Sequence, residues 1–326
     1  MKKFPSIDQF RNVIKEVRSH HDFQGKAADD SPIYNHLSPY PTIEFSGSVK
    51  LHGTNAAVVR YKDRTEFQSR ERVLTLQQDN AQFMLNMMGK NLDTLFDGIE
   101  FEEYVAVFGE WCGQGIQKGV AISELPKMFV VFAYQVDGVW IQTMERSNES
   151  LGIYNINQFP TYSLSVDFNN PELVQNTLIE LTEAVEKECP VGKHFGVSGI
   201  GEGIVWKAQH GDNFYQFKVK GEKHSISKVK TLASVDVESV RSIQEFVDNV
   251  LTDNRLTQGI SWLKENNKPL DQTSTGDYLR WVITDVIKEE QDTIVANQLD
   301  PKKIGGVLNG KARVWFFNFL NREVFA

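Results

Sequence analysis

The chain has 326 residues, a formal net charge of −8 and a hydrophobic content of 40%. That length is enough for one large hydrophobic core and a second, smaller module, so we expect two domains. The negative charge excludes a protein that coats nucleic acid through its overall charge, but it does not exclude a local basic groove.

Cysteine content and hydropathy exclude two further classes of protein. Cys112 and Cys189 are the only cysteines, which is too few for a disulfide framework or a zinc knuckle. No apolar run approaches the length of a membrane span, and the polar start of the chain lacks the apolar region of a signal peptide. We therefore expect a soluble, unprocessed monomer in a reducing cytoplasm, with no membrane partner.

The first third of the chain alternates between helical and strand patterns. Residues 6–20 place apolar side chains on one helical face and predict an outer helix. Residues 43–72 then change to short β-rich runs with polar breaks between them. Residues 74–96 again have a helical pattern, and their methionines are typical of side chains that fill gaps in a core.

Strands and one more helix follow in the middle of the chain. Strands are predicted at residues 104–110, 127–136, 139–143, 203–208 and 214–220. Asp137-Gly138 predicts a hairpin turn, because it accepts a positive φ. Residues 171–189 predict a helix in which Asn170 is the N-cap and proline takes the first helical position.

The end of the chain is helical throughout. Helices are predicted at residues 240–251, 256–264, 278–297 and 304–320. We therefore expect an α+β domain over residues 1–233, with antiparallel sheets and flanking helices, followed by an all-helical domain over residues 234–326.

One lysine stands at a chemically informative place. Lys50 ends an apolar strand immediately before the polar turn Leu51-His52-Gly53-Thr54-Asn55. A lysine that loses hydration is more often uncharged, and an uncharged amine can act as a nucleophile. Gly53 allows the backbone to approach a phosphate, and Thr54 and Asn55 supply hydrogen-bond donors. Taken alone, however, a lysine before a glycine turn is more often a solvated surface residue.

Further motifs follow Lys50 in a consistent order. They are Ser69-Arg70-Glu71-Arg72, Phe108-Gly109-Glu110-Trp111-Cys112-Gly113, Phe129-Val130-Val131-Phe132, Glu202-Gly203-Ile204-Val205-Trp206-Lys207 and Phe217-Lys218-Val219-Lys220. Together they resemble the motifs of the covalent nucleotidyltransferases, the superfamily of ATP-dependent polynucleotide ligases and mRNA capping enzymes. Residues 50–55 and 108–118 resemble the RNA ligase 2 family most closely. The resemblance covers roughly residues 40–230.

The resemblance implies a nucleotidyltransferase fold, similar to ATP-grasp ligases, for the first domain. It also implies ATP as the donor of AMP. DNA ligases and capping enzymes usually carry Asp in place of His52, and they append an OB-fold whose short strands would alternate in hydropathy. The helical pattern after Ser234 instead resembles the helical domain of the RNA ligase 2 family.

The resemblance also assigns roles to individual residues. Lys50 would attack the α-phosphorus of ATP, and Lys218 and Lys220, on one face of a strand, would stabilise the charge on that phosphate. The alternative role for Lys218 and Lys220 is a pair of charges on an edge strand that faces water. The residues implied in nucleotide binding are Leu51, His52, Gly53, Thr54, Asn55, Arg70, Glu110, Phe132, Lys218 and Lys220.

Three of these roles have a specific chemistry. Glu110 would accept hydrogen bonds from the ribose hydroxyls. Phe132 would stack on adenine, although packing in the core is an equal alternative for this ring. Arg70, together with the residues of the turn, would bind pyrophosphate or the incoming 5′-phosphate. Lys207 would do similar work or simply end its strand.

A divalent ion and two departures from the pattern complete the site. Glu202 resembles the carboxylate that holds Mg²⁺ or Mn²⁺, with phosphate oxygens and water as the other ligands; its alternative is an exposed acid in a turn. Val49 stands where many relatives have Glu, and Ala133 stands where related ligases often carry an acid.

The resemblance therefore predicts an ATP-dependent RNA ligase. Its partner would be RNA with a 3′-hydroxyl and a 5′-phosphate end, and the choice between nicked duplex and single strands stays open. Basic and aromatic residues of the tail would hold the RNA, unless they are buried against the first domain: Lys302, Lys303, Lys311, Arg313, Trp315 and Phe316. The alternatives are a DNA ligase, a GTP-dependent capping guanylyltransferase and a non-catalytic RNA-binding relative.

Overall fold

The computed structural model describes residues 1–36, 39–141, 144–224 and 243–324. The chain forms two compact units, Met1–Lys223 and His224–Ala326. The boundary predicted between residues 233 and 234 lies outside the described residues. None of the helices in the described ranges is long and apolar enough to cross a membrane.

The first unit combines helices with many strands. Its α-helices are α1 (Phe10–Asp22), α2 (Phe83–Met88), α3 (Gln175–Lys187) and α4 (Pro190–His194). Its first six strands are β1 (Phe23–Lys26), β2 (Pro32–Tyr34), β3 (Thr42–Lys50), β4 (Thr54–Tyr61), β5 (Thr65–Ser69) and β6 (Tyr104–Cys112). The others are β7 (Met128–Val136), β8 (Val139–Ile141), β9 (Ile153–Asn155), β10 (Thr161–Asp167), β11 (Gly203–His210) and β12 (Asn213–Lys220).

A four-stranded antiparallel sheet has the strand order β10-β3-β11-β12. Along β3 the buried residues alternate with exposed or half-buried ones, because successive side chains of a strand point to opposite faces. The buried face packs against α1 and α3; for example, the rings of Phe10 on α1 and Phe217 on β12 lie 4.7 Å apart. The opposite face carries Lys50.

A six-stranded sheet has the order β5-β4-β6-β7-β8, with β9 beside β7 as a parallel strand. One face forms a core with α2 that includes Val58, Trp111 and Phe129. The other face carries a second cluster, which includes Ala57 and Phe108. The first unit is thus built on two separate sheets, and β1 and β2 form a small exposed ribbon beside them.

The Asp137-Gly138 turn has the predicted conformation. Both residues have positive φ, 47° and 88°, as a two-residue hairpin turn requires. The Asp137 carboxylate also accepts hydrogen bonds from the backbone N–H groups of Glu102, Glu103 and Tyr104, at 2.7 to 2.8 Å. These bonds hold the hairpin against the start of β6 and keep the pKa of Asp137 below its ordinary value.

Several predicted elements differ from the structure. The helix predicted at residues 74–96 is wrong: only α2 and a 3-10 turn at Asp93–Leu95 are helical there. The Asp79 carboxylate accepts the backbone N–H groups of Met84 and Leu85 at 2.9 Å, so the turn before α2 satisfies donors that a continuous helix would use. Asn170 makes no side-chain cap, and residues 142–143 lie outside the described ranges.

The second unit consists of helices in its described part. They are α5 (Ile243–Val250), α6 (Asp253–Glu265), α7 (Thr275–Glu289), α8 (Gln291–Ala296) and α9 (Pro301–Val324). Their apolar faces form two clusters, one around Tyr278 and Phe316 and one around Val286 and Leu308. The predicted α+β architecture, with antiparallel sheets followed by a helical region, is confirmed.

Candidate active site

Strand pairing brings the three lysines that were predicted to take part in catalysis onto one face of the four-stranded sheet. Gly203, at the start of β11, pairs with Lys50 on β3 and with Lys220 on β12. Val205 pairs with Lys218. Residues opposite one another in an antiparallel sheet share a face, so Lys50, Lys218 and Lys220 lie together although Lys50 and Lys218 are 168 positions apart in the sequence.

Glu202 lies at the centre of this group. Its Oε2 is 2.8 Å from Lys50 Nζ, and its Oε1 is 2.8 Å from Lys220 Nζ. His52 Nδ1 lies 3.2 Å from Oε2. The Glu202 side chain is only 2% exposed. The alternative of an exposed acid in a turn is therefore wrong, and the carboxylate joins the nucleophile candidate to the lysine pair. We call Lys50, Glu202, Lys220 and His52 the Glu202 cluster.

The charges of the Glu202 cluster shift the acidity of its members. Burial by itself would raise the pKa of Glu202, but the positive charges of Lys220 and Lys50 and the contact with His52 hold it well below its ordinary value. Burial lowers the pKa of Lys220 to about 8, against the attraction of Glu202. The cations Lys50 and Lys218 contribute to the same lowering of this pKa. The site thus concentrates positive charge with little water around it, which favours a phosphate ligand.

Glycine is required where β11 begins. Gly203 has a φ of 152°, and a Cβ there would lie 2.1 Å from the carbonyl oxygen of Val219. The close approach of β11 and β12 at this point keeps Glu202 beside Lys220. The backbone N–H of Gly221 also donates to the Glu202 carbonyl at 3.0 Å.

The turn after Lys50 is held by the six-stranded sheet. The backbone N–H of Gly53 donates to Glu110 Oε1 at 3.1 Å. A Cβ on Gly53 would lie 2.4 Å from the Trp111 carbonyl oxygen and 2.8 Å from Cys112 Cβ. Leu51 is buried. Glu110 thus positions the turn, and Gly53 is required by close packing on β6; both roles lie outside the sequence-based prediction.

Two other residues of the turn face different sides of the six-stranded sheet. Asn55 pairs with Glu110 across β4 and β6 and shares its face. Thr54 is buried on the opposite face, where its hydroxyl accepts a hydrogen bond from Asn80 Nδ2 at 2.9 Å. The placement of Thr54 suits support of the turn better than contact with a ligand.

Arg70 lies one residue beyond the end of β5. Its side chain is 48% exposed, and its Nε is 3.9 Å from Glu71 Oε1. Within the described ranges, no hydrogen bond or ion pair joins Arg70 to the Glu202 cluster. Phosphate binding by Arg70 therefore stays a prediction.

Phe132 lies where the two sheets face each other. Lys207, on the same face of β11 as Gly203, donates from Nζ to the Phe132 carbonyl oxygen at 3.1 Å, and Nζ lies 5.2 Å from the ring centroid. Burial lowers the pKa of Lys207 to about 8. Both residues line a small cavity. Phe132 therefore packs against its neighbours and also faces open space, so both predicted roles are compatible with its position.

The cavity includes residues that sequence reasoning missed. Phe4 and Trp140 line it together with Asn155 and Phe214. No motif marks them, because Phe4 lies in a short segment before the first helix and Trp140 lies on an edge strand. The alternation of Gly203, Val205 and Lys207 could have placed Lys207 on the face of the lysine pair.

The donor set fits a divalent ion held by one carboxylate. In the described part of the chain, no group of three or more His, Cys, Asp or Glu side chains could form a protein cage for a metal. Mg²⁺ and Mn²⁺ at phosphates commonly use one or two carboxylates, with phosphate oxygens and water as the other ligands. Both oxygens of Glu202 contact lysines, so an ion bound there would compete with these ammonium groups.

A family model and several solved structures are similar to parts of this chain. The family model for RNA ligases matches residues 43–230, which is more than half of the chain and includes Lys50, Glu202 and Lys220. The chain therefore belongs to the RNA ligase family. No curated protein matches it.

Solved structures of one RNA ligase are similar to the chain at low identity. A point variant of the Naegleria gruberi RNA ligase with AMP and Mn has 17% identity and a TM-score of 0.42. Another variant with ATP and Mn has 17% identity and a TM-score of 0.43. Each alignment covers 68% of this chain and 56% of that one. The same ligase with PPi has 18% identity and a TM-score of 0.39, over 67% and 56% of the two chains. The chain thus spans just over half the length of this ligase.

Proposed function

We propose that this protein is an ATP-dependent RNA ligase that joins a 3′-hydroxyl to a 5′-phosphate end through a covalent lysyl-AMP at Lys50. The observation that carries the proposal is the Glu202 cluster, in which one buried carboxylate contacts Lys50 and Lys220 at 2.8 Å each. Membership of the RNA ligase family over residues 43–230 supports the same conclusion.

The first step would be adenylation of Lys50. The uncharged amine attacks the α-phosphorus of ATP, a nitrogen–phosphorus bond forms, and pyrophosphate leaves with the electrons of the broken bond. Lys218 and Lys220, on the same face as Lys50, would stabilise the negative charge that develops on the phosphate. A divalent ion at Glu202, when bound, supplies further stabilisation of phosphate charge.

Two further transfers would complete the reaction. An oxygen of the RNA 5′-phosphate attacks the phosphorus of lysyl-AMP, which frees Lys50 and forms an adenylated RNA end. The 3′-hydroxyl then attacks the 5′-phosphate and AMP leaves. Positioning and electrostatic stabilisation are the main contributions a protein makes to such chemistry. The rigid pairing of β3, β11 and β12 suits that task.

The helical unit would hold the RNA. On α9, Lys302, Lys303 and Arg313 are exposed and suit contact with phosphates. Two of the other residues predicted for this role have partners within the unit: Lys311 forms an ion pair with Asp248, and Trp315 Nε1 donates to Asp253 Oδ1 at 2.8 Å. Phe316 is fully buried in the core of its own unit, so the prediction that it contacts RNA is wrong.

Labelling with α-³²P-ATP tests the proposed chemistry. We expect the full-length protein with Mg²⁺ to form a covalent AMP adduct at Lys50. Lys50→Ala should abolish the adduct, and Lys50→Arg should not restore it, because a guanidinium stays protonated. Lys187→Ala, at an exposed lysine at the end of α3, is the matched control and should label normally.

Three outcomes would overturn the proposal. Label on another lysine would remove Lys50 as the nucleophile. Labelling from GTP instead of ATP would favour a capping guanylyltransferase, and sealing of nicked DNA but not of RNA would favour a DNA ligase. Comparing a nicked duplex with single-stranded 5′-phosphate RNA in the same assay identifies the preferred substrate.

A further inference from the structure

The first residues of the chain connect the two sheets of the first unit. The backbone N–H of Lys2 donates to Gln68 Oε1 on β5 at 3.0 Å, and Lys2 Nζ lies 3.5 Å above the ring of Tyr104 on β6. Six residues later, the Asp8 carbonyl oxygen accepts the backbone N–H of Lys218 on β12 at 3.0 Å. We call Met1–Asp8 the N-terminal strap.

The N-terminal strap places an aromatic ring inside the cavity beside Phe132. The ring of Phe4 lies 4.9 Å from that of Phe132, 5.6 Å from that of Phe108 and 5.4 Å from that of Trp140. The neighbouring residues Lys3 and Pro5 are exposed. Phe4 thus lines the cavity and touches the ring that the proposed function places against the nucleotide base.

The contacts of the strap give Phe4 a definite task. Phe132 is only half-buried, so a flat ring at this position needs a neighbour to fix its plane. An edge-to-face contact such as that between Phe4 and Phe132 does this. Because the strap is bonded to the strand of Lys218 and to the sheet of Phe132, it also fixes the spacing between the phosphate end and the base end of the site.

We propose that Phe4 is a positioning residue for ATP, which holds Phe132 and forms a wall of the base pocket through the N-terminal strap. The inference rests on the proposed function. Loss of the Phe4 ring should weaken the binding of ATP. It should leave the chemistry at Lys50 unchanged, since Phe4 contacts none of the residues of the Glu202 cluster within the described ranges.

Kinetics of adduct formation by the full chain test this inference. Phe4→Ala should raise the KM for ATP, the ATP concentration that gives half the maximal rate of adduct formation, about tenfold, the effect of losing an aromatic contact of this kind. The maximal rate should change by less than twofold. Phe4→Tyr, which keeps the ring, should restore the KM to near the wild-type value. If Phe4→Ala does not fold, Phe4→Leu keeps the apolar volume without a ring and should raise the KM severalfold.

Phe10→Leu is the matched control for a purely structural effect. Phe10 is a buried ring two residues beyond the strap that packs on Phe217, on the other face of β12. The Phe10→Leu variant should have a lower melting temperature than the wild type and an unchanged KM for ATP. An unchanged KM in Phe4→Ala or Phe4→Leu, or an equal rise in Phe10→Leu, would overturn the inference. A wild-type protein that forms no adduct would instead overturn the proposed function.

Discussion

Lys207 shows how one residue can couple the site to the stability of the protein. It lies on the face of β11 that faces Phe132, and its ammonium group has lost most of its water. Its carbonyl partner at 3.1 Å replaces only part of that hydration. Because burial penalises the charged form, the pKa falls from 10.5 to about 8.

This shift predicts a pH-dependent difference between the wild type and Lys207→Met. Between pH 8 and 10.5 the unfolded chain holds a proton on Lys207 that the folded chain has lost, so the stability of the wild type should rise with pH across this range. The shift corresponds to roughly 3 kcal/mol at most. Below pH 8 both states are protonated, and the contribution of Lys207 should be constant.

Urea unfolding at pH 7, 8.5 and 10 measures this difference. The free energy of unfolding of the wild type, relative to that of Lys207→Met, should increase from the first pH to the last. If the free energies of unfolding of the two proteins change in parallel with pH, Lys207 is not buried as a charged group.

At the scale of elements, the turn between β3 and β4 is the most constrained segment of the site. It contacts β6 through Gly53 and Glu110, so the position of Lys50 depends on the packing of a glycine against a neighbouring strand.

Gly53→Ala should therefore displace the turn. The new Cβ would overlap the Trp111 carbonyl oxygen, which is backbone and cannot move alone. We expect a loss of about 1–3 kcal/mol of stability and a fall of more than tenfold in the rate of adduct formation. Gly89→Ala is the control, because a Cβ there meets nothing within 4 Å and φ is −86°. Equal rates in the two variants would contradict the role of the turn.

Helices α6 and α7 are joined by a buried arginine. Arg255 is fully buried, with Nε 3.0 Å from Asp285 Oδ2 and Nη2 3.2 Å from Glu290 Oε1. Glu290 is also fully buried.

Arg255→Met would remove the guanidinium that lies beside the buried Glu290 carboxylate. We expect this to destabilise the helical unit by about 3–5 kcal/mol. Adduct formation with ATP should continue, because the Glu202 cluster lies in the other unit. Circular dichroism during heating, together with adduct yield at 25 °C, would check both parts; loss of the adduct at a temperature where the helices persist would contradict them.

At the scale of the whole molecule, each unit has its own hydrophobic core. The clusters around Val58 and Ala57 belong to the first unit, and those around Tyr278 and Val286 belong to the second. Units with separate cores can in principle fold alone, and the proposed chemistry uses residues of the first unit only.

A fragment of residues 1–233 should therefore form the AMP adduct but join RNA ends poorly. With pre-adenylated RNA, the full chain should seal ends in a salt-sensitive manner, since phosphate contacts weaken as salt rises. Adduct yield and sealing, each at 50 and 200 mM salt, separate the two activities. If the folded fragment seals as well as the full chain, the helical unit does not hold the RNA.

The sequence by itself determined the order of the motifs, the alternation that places Lys218 and Lys220 on one strand face, and the change from strands to helices in the last part of the chain. These features are local, because helical and strand periodicity depend on neighbouring side chains. Only the tertiary structure decided that both Glu202 oxygens contact lysines, that Glu110 holds the turn at Gly53, and that Phe4 lies beside Phe132. All of these contacts except the one between Glu202 and Lys220 join residues more than 50 positions apart. Their geometry depends on sheet register and on the packing of two sheets, which no local pattern specifies.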